Sequence, residues 1–165
     1  MNDYLKLKKR DILRIGIKDY DGKAKLDNKG NEVYIEFDLE DINLPDNYNK
    51  AYKLVQKAMN TLRDTITITN KKEDVASNGI MTKNQELKMQ ALKKFYRESE
   101  EAMNLFLGPN GVDKIFGKTR YLTMYDDLAE MLEPIIPKIK MNVTNIEKQI
   151  KAKYSNKEDN VLRNE

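Results

Sequence analysis

The spacing of apolar residues changes once along this 165-residue chain, and that change limits the fold more than any other feature. Val33, Ile35, Phe37 and Leu39 stand at alternate positions, which is the period of a half-buried strand. Ile12 to Lys18 alternates in the same manner, less regularly. From Tyr48 onward the apolar positions are three and four apart, through Tyr52, Val55, Met59, Leu62 and Ile66, which is one stripe of a helix. Two strands alone are marginal in water and need a helix or a neighbouring subunit to lie against. The pattern therefore predicts an α+β, mainly α-helical chain in which an N-terminal two-stranded β-ribbon is followed by about four helices.

Punctuation residues divide the chain further. Asp21-Gly22 and Asn28-Lys29-Gly30-Asn31 are turn chemistry between the strands. Pro45-Asp46 opens the first helix, and the β-branched run Thr65-Ile66-Thr67-Ile68-Thr69 is expected to fray or end it. Asn70 to Gly79 is polar without a period and reads as a mobile loop. A second helix is predicted from Thr82 or Asn84 to the stop Leu107-Gly108-Pro109. A short segment, Val112 to Phe116, closes at Gly117. A third helix runs from Tyr121 or Thr123 through Glu133, and Pro134 and Pro137 must kink or break it. Thr144-Asn145-Ile146-Glu147 matches a capping box that would start a last helix. The expected division is a ribbon element over 1–44, a helical domain over 45–154 and a disordered polar tail over 155–165, with no internal repeat.

Residue types that are missing narrow the chemistry. Without Cys there is no disulfide framework, thiolate catalysis or cysteine zinc site, and without His the usual general base and commonest metal ligand are lost. No Ser-His-Asp or Cys-His system can be built. The first ten residues have no continuous apolar core of a signal peptide, and no run approaches a membrane span, so a soluble cytoplasmic protein is expected. Thirty basic and 27 acidic residues, interleaved, leave too little net charge to argue for nucleic acid.

Four clusters merit weighing. Asp126, Glu130 and Glu133, with Asp127 beside them, share a helix face and could present oxygen ligands to a hard cation such as Mg²⁺. The plainer reading is a solvated face favourable to the helix dipole, because no second carboxylate helix matches it. Asp27 to Glu32 lacks the ligand alternation of a calcium loop, and Gly108-Pro109-Asn110-Gly111 lacks the lysine of a phosphate loop. Lys6, Lys8, Lys9 and Arg10 read as a solvated terminus. No catalytic residue, metal or cofactor is expected, and the chain is read as a non-enzymatic binder of other proteins. The block Phe116, Tyr121, Leu122, Met124, Tyr125, Leu128, Met131 supplies the candidate partner-binding residues. Consecutive positions point about 100° apart on a helix, so these cannot all face one core. Tyr and Met are also enriched where proteins meet. A wholly internal core is the competing reading, and the two are compatible.

The stretch Asn104-Leu105-Phe106-Leu107-Gly108, Val112-Asp113-Lys114-Ile115-Phe116-Gly117 and Tyr121-Leu122-Thr123-Met124-Tyr125-Asp126-Asp127-Leu128 resembles the tail assembly chaperones of long-tailed bacteriophages and phage tail-like bacteriocins. Tyr34-Ile35-Glu36-Phe37-Asp38-Leu39 and Lys153-Tyr154-Ser155 extend the likeness over about Glu32 to Ser155. The resemblance implies a protein of the bacterial host cytoplasm, working as a homo-oligomer. Such a protein would bind the tape-measure protein, help recruit tail-tube subunits and be absent from the finished particle. The alternative is a structural tail or neck component retained there. The chain departs from the pattern in ending Val161-Leu162-Arg163-Asn164-Glu165 rather than in an arginine-rich segment. A helix-in-groove mode would suit a long helical tape-measure partner.

Overall fold

The computed structural model describes residues 9–77 and 79–161, with side chains to residue 154. Among these, two strands precede five helices, and the chain is α+β and mainly helical. Strand β1 (Ile12–Gly16) pairs antiparallel with β2 (Tyr34–Asp38). The helices are α1 (Leu44–Asn70), α2 (Lys83–Leu107), α3 (Gly111–Phe116), α4 (Met124–Leu132) and α5 (Ile136–Val161). The chain divides into two compact units, one of residues 1–15, 36–45 and 121–165, the other of residues 16–35 and 46–120.

The ribbon follows its period. Ile35 and Phe37 are buried, and Ile17 continues the inward face of Leu13 and Ile15, while Ile12 is exposed. On the outward face Arg14 Nε donates to Glu36 Oε1 at 2.6 Å. The connection between the strands is ordered by two equivalent turns. In the first, the N–H groups of Asp21 and Lys23 donate to Asp19 Oδ1 at 3.0 and 2.9 Å. In the second, those of Lys29 and Asn31 donate to Asp27 Oδ1 at 2.8 and 2.9 Å. Gly22 and Gly30 hold matching positive φ of 76° and 82°, which glycine adopts without a Cβ clash. Between the turns, Ile17 N–H donates to Val33 O, Val33 N–H to Lys25 O and Lys25 N–H to Ile17 O, closing a ring of three backbone bonds. The chain thus does hold an eight-residue structural repeat. Its turns resemble one another in hydrogen bonding more than in residue type, so the letters conceal it.

In the larger unit, α1 does not stop at its β-branched run. The hydroxyls of Thr61, Thr65, Thr67 and Thr69 each donate to the carbonyl four residues back, at 2.7–3.1 Å, so their polar atoms are satisfied inside the helix. The buried side of α1 is Leu44, Ala51, Ala58, Leu62 and Thr69, with Tyr48, Val55 and Thr65 half-buried between them. Those eight positions alternate four and three apart, a seam of period 3.5. It lies rotated from the predicted stripe, and Tyr52 and Met59 are exposed. The rings of Tyr48 and Phe106 meet edge-on at 5.2 Å, so α1 and α2 run antiparallel.

The predicted loop after α1 is tied to the start of α2. Thr82 and Gln85 form a capping box, Thr82 Oγ1 donates to Asp74 Oδ2 at 2.7 Å, and Asn84 Nδ2 donates to Lys72 O at 3.1 Å. Gly108 ends α2 at φ 86°, as its sequence signal predicts. Val112 N–H then donates to Asn104 Oδ1 at 3.0 Å, joining α3 to α2. A Cβ on Gly111 would lie 2.4 Å from that of Leu107. Gly111→Ala is expected to cost about 1–3 kcal/mol through this overlap, readable as a lower urea midpoint at unchanged slope.

In the other unit, α4 ends before Pro134, and Pro137 sits in the first turn of α5, where no intrahelical donor is needed. Thr144 does not cap a new helix. Its hydroxyl donates back to Lys140 O at 3.3 Å while α5 runs on through it. The polar tail expected from residue 155 is helical to Val161, and residues 162–165 lie outside the described ones.

Candidate protein-binding surfaces

The seven candidate residues fall into three environments. Met124 and Leu128 are 0% and 2% exposed and, with Leu132, form the buried stripe of α4 at spacings of four. Successive turns aim these two inward, so of the seven candidates Met124 and Leu128 belong to the interior. Tyr121, Tyr125 and Met131 are half-buried, and Leu122 is 76% exposed. Tyr121 Oη donates to Asp127 Oδ2 at 2.7 Å, which orients the ring beside the first turn of α4. Phe116 belongs to the other unit, half-buried at the end of α3. The surface these residues leave open in the α4 unit is therefore Leu122 with the edges of Tyr121, Tyr125 and Met131.

Of the carboxylates of α4, that of Asp127 lies beside Tyr121. Asp126, Asp127, Glu130 and Glu133 are all exposed. Among the described residues, no three or more Asp, Glu, His or Cys come together in a way that could hold a metal ion. Of the N-terminal basic cluster, Lys6 and Lys8 lie outside the described residues, and Arg10 pairs with Asp38 at 2.6 Å.

The larger unit holds two features that sequence spacing did not indicate. The first is a charged clamp on α3. Arg120 Nη2 lies 2.8 Å from Glu100 Oε2 and 2.5 Å from Asp113 Oδ1, and its Nη1 donates to Gly117 O at 2.7 Å. Lys118 also pairs with Asp113. Lys118, then Arg120, hold the Asp113 carboxyl below its ordinary range by hydrogen bonding the charged form. Lys25 Nζ donates to Ile115 O at 2.9 Å, tying the ribbon turns to the end of α3. The clamp is structural in form: the charges of Glu100, Asp113, Lys118 and Arg120 all have partners.

The second is a groove along the outer side of α1 and α2. A recess of about 560 Å³ is lined by Leu54, Ala58, Ala102 and Leu105, and one of about 270 Å³ by Leu62, Leu87, Ala91 and Phe95. Ala58, Thr61, Lys94 and Glu98 border both, so the two recesses are continuous. The groove exists because Ala58, Thr61, Ala91 and Ala102 are short where larger side chains would close the gap. Its lining is mixed, with Lys57, Thr61 and Glu101 beside the leucines and alanines, its rim carries the Lys94–Glu98 ion pair at 3.7 Å, and Leu54, Leu87 and Leu105 are exposed along it. A groove between antiparallel helices with apolar side chains along it suits a third, amphipathic helix. Its alanines, Ala58 on α1 and Ala91 and Ala102 on α2, are passed over by a count of hydrophobic stripes.

Among the described residues, no helix is long and apolar enough to cross a membrane. No protein-family model, curated protein or solved structure matches the chain.

Proposed function

We propose that this chain is a tail assembly chaperone of phage-type tails, acting in the bacterial cytoplasm as a homo-oligomer. It binds the tape-measure protein, helps recruit tail-tube subunits and leaves before the particle is complete. The observation that supports this reading is the groove on α1 and α2, with Leu54, Leu87 and Leu105 exposed along it. A helix seated there would cover those leucines. A long helical tape-measure protein offers successive apolar stripes for such a trough, and binding of this kind calls for no catalytic residue.

The test is capture during co-expression with the tape-measure and tail-tube proteins of the same gene cluster. The wild type is expected to retain the tape-measure protein, and Leu54→Asp with Leu105→Asp to lose it by about tenfold or more while keeping the wild-type melting temperature. These side chains are exposed, so the fold does not depend on them. Proteomics of purified particles supplies the second arm. Stoichiometric presence there would replace the chaperone reading by that of a tail or neck component, and no capture of either partner would remove both.

A further inference from the structure

The corner between α2 and α3 is an Asn-Gly pair, and its geometry calls for both residues. Among the described residues Asn110 is the only one other than glycine with positive φ, at φ 56° and ψ 24°. Asparagine tolerates that left-handed conformation better than most side chains. Gly111 follows because a Cβ there would lie 2.4 Å from that of Leu107. The same pair is chemically the most prone to lose its side-chain amide. The Gly111 nitrogen, with no Cβ to hinder it, can attack the side-chain carbonyl carbon of Asn110. The new C–N bond closes a five-membered imide, and the amide nitrogen leaves as ammonia with the Gly111 proton. One water then opens the imide. Cleavage on one side gives aspartate, and on the other isoaspartate, whose backbone runs through the former side chain and is one methylene longer.

Ring closure needs the peptide plane between Asn110 and Gly111 to turn far from ψ 24°, and the fold pins that plane at both ends. Gly111 N–H donates to Gly108 O at 3.0 Å, and Lys114 N–H donates to Asn110 O at 2.9 Å. One residue on, Val112 N–H donates to Asn104 Oδ1 at 3.0 Å, and Gly111 and Val112 are both buried. Asn110 itself is exposed, so the protection is in the backbone and not in cover over the amide.

We infer that Asn110 is a latent deamidation site, reached only when the α2–α3 corner opens, and that isoaspartate formed there keeps the corner from closing again. The extra methylene displaces Gly111 from the place where its lack of a Cβ fits it against Leu107. Each opening of the corner thus carries a chance of becoming permanent, and a chain that opens more often ages faster. Asn78-Gly79 is the other such pair in the sequence, and Asn78 lies outside the described residues.

The experiment ages the full chain in mildly alkaline buffer and reads Asn110 by peptide-mapping mass spectrometry, with isoaspartate methyltransferase to separate the two products. Asn110 is expected to convert in concentrated urea, and about tenfold or more slowly in the folded chain. Asn104→Ala, which removes the acceptor for Val112 N–H, raises the folded-state rate by about threefold or more and leaves the rate in urea unchanged. Asn104→Asp retains an acceptor oxygen and stays near the wild-type rate. Wild type aged in urea and refolded loses more melting temperature than Asn110→Gly treated identically, since that variant keeps the left-handed corner and has no amide to lose. No conversion of Asn110 in urea, or equal rates in the folded and unfolded wild type, would overturn the inference. So would a cooperatively folded Asn104→Ala that ages no faster than the wild type, or equal losses of melting temperature in the aged wild type and Asn110→Gly. Where Asn104→Ala lacks a cooperative melt, the wild-type rates and the aged chains decide.

Discussion

Leu128→Ala is expected to lower stability by about 2–5 kcal/mol, whereas Leu122→Ala should stay within about 0.5 kcal/mol of the wild type. The two leucines stand six residues apart in the same block. Leu128 is 2% exposed in the middle of the Met124, Leu128, Leu132 stripe, so truncation removes buried methyl groups and leaves a cavity in a close-packed surround. A loss at the upper end approaches the whole stability of a typical domain. Leu122, 76% exposed, surrenders little on truncation. Urea denaturation of the three proteins checks the pair. A Leu122 loss as large as that of Leu128 would contradict the environments assigned to the α4 block.

The second large effect concerns Arg120. Arg120→Met is expected to cost about 2 kcal/mol, between the 3–5 kcal/mol of breaking a fully buried ion pair and the ~1 kcal/mol or less of an exposed one. The intermediate value follows from side chains only 18–29% exposed at Asp113, Arg120 and Glu100. Removing the guanidinium leaves Glu100 and Asp113 close together without the cation between them, and frees Gly117 O.

The same clamp has a pH signature. Asp113 titrates below its ordinary value of 3.8 in the folded chain, so below about pH 4 the unfolded chain takes up the proton first. This contribution to stability is therefore complete above that range and lost as pH falls through the lower folded value. Thermal melts from pH 7 to pH 3 should show a steeper acid loss for the wild type than for Arg120→Met. Parallel curves would remove Arg120 from the account.

How far the fold could be read in the letters depended on whether a residue's role was local. The alternation that buries Ile35 and Phe37, the box at Thr82 and Gln85 and the stop at Gly108 are each set within a few residues, and each lies where its spacing indicates. Thr65 to Thr69 misled because β-branching argues against a helix, while hydroxyl bonding to the preceding turn, together with burial of Thr69, offsets that tendency. Thr144 is the converse: a capping sequence within a helix whose N–H groups are already engaged. The candidate site was harder to read. That Met124 and Leu128 turn inward is legible from their spacing with Leu132, once α4 is known to begin at Met124. The groove is not, since it is a property of two helices together and arises from Ala58 and Ala102, residues too small to register as a stripe.

The three-bond ring joining Ile17, Lys25 and Val33 closes within seventeen residues. Register in an antiparallel pair is unforgiving, since a slip of one residue would turn Phe37 from the interior to the outside. Here a short-range clasp supports the alignment. The N-terminal ribbon can therefore nucleate early and cheaply in entropy, because the chain it must draw together is short. Lengthening either turn by a single residue would break the clasp and unpin the strands, though the inserted residue touched no part of the interior.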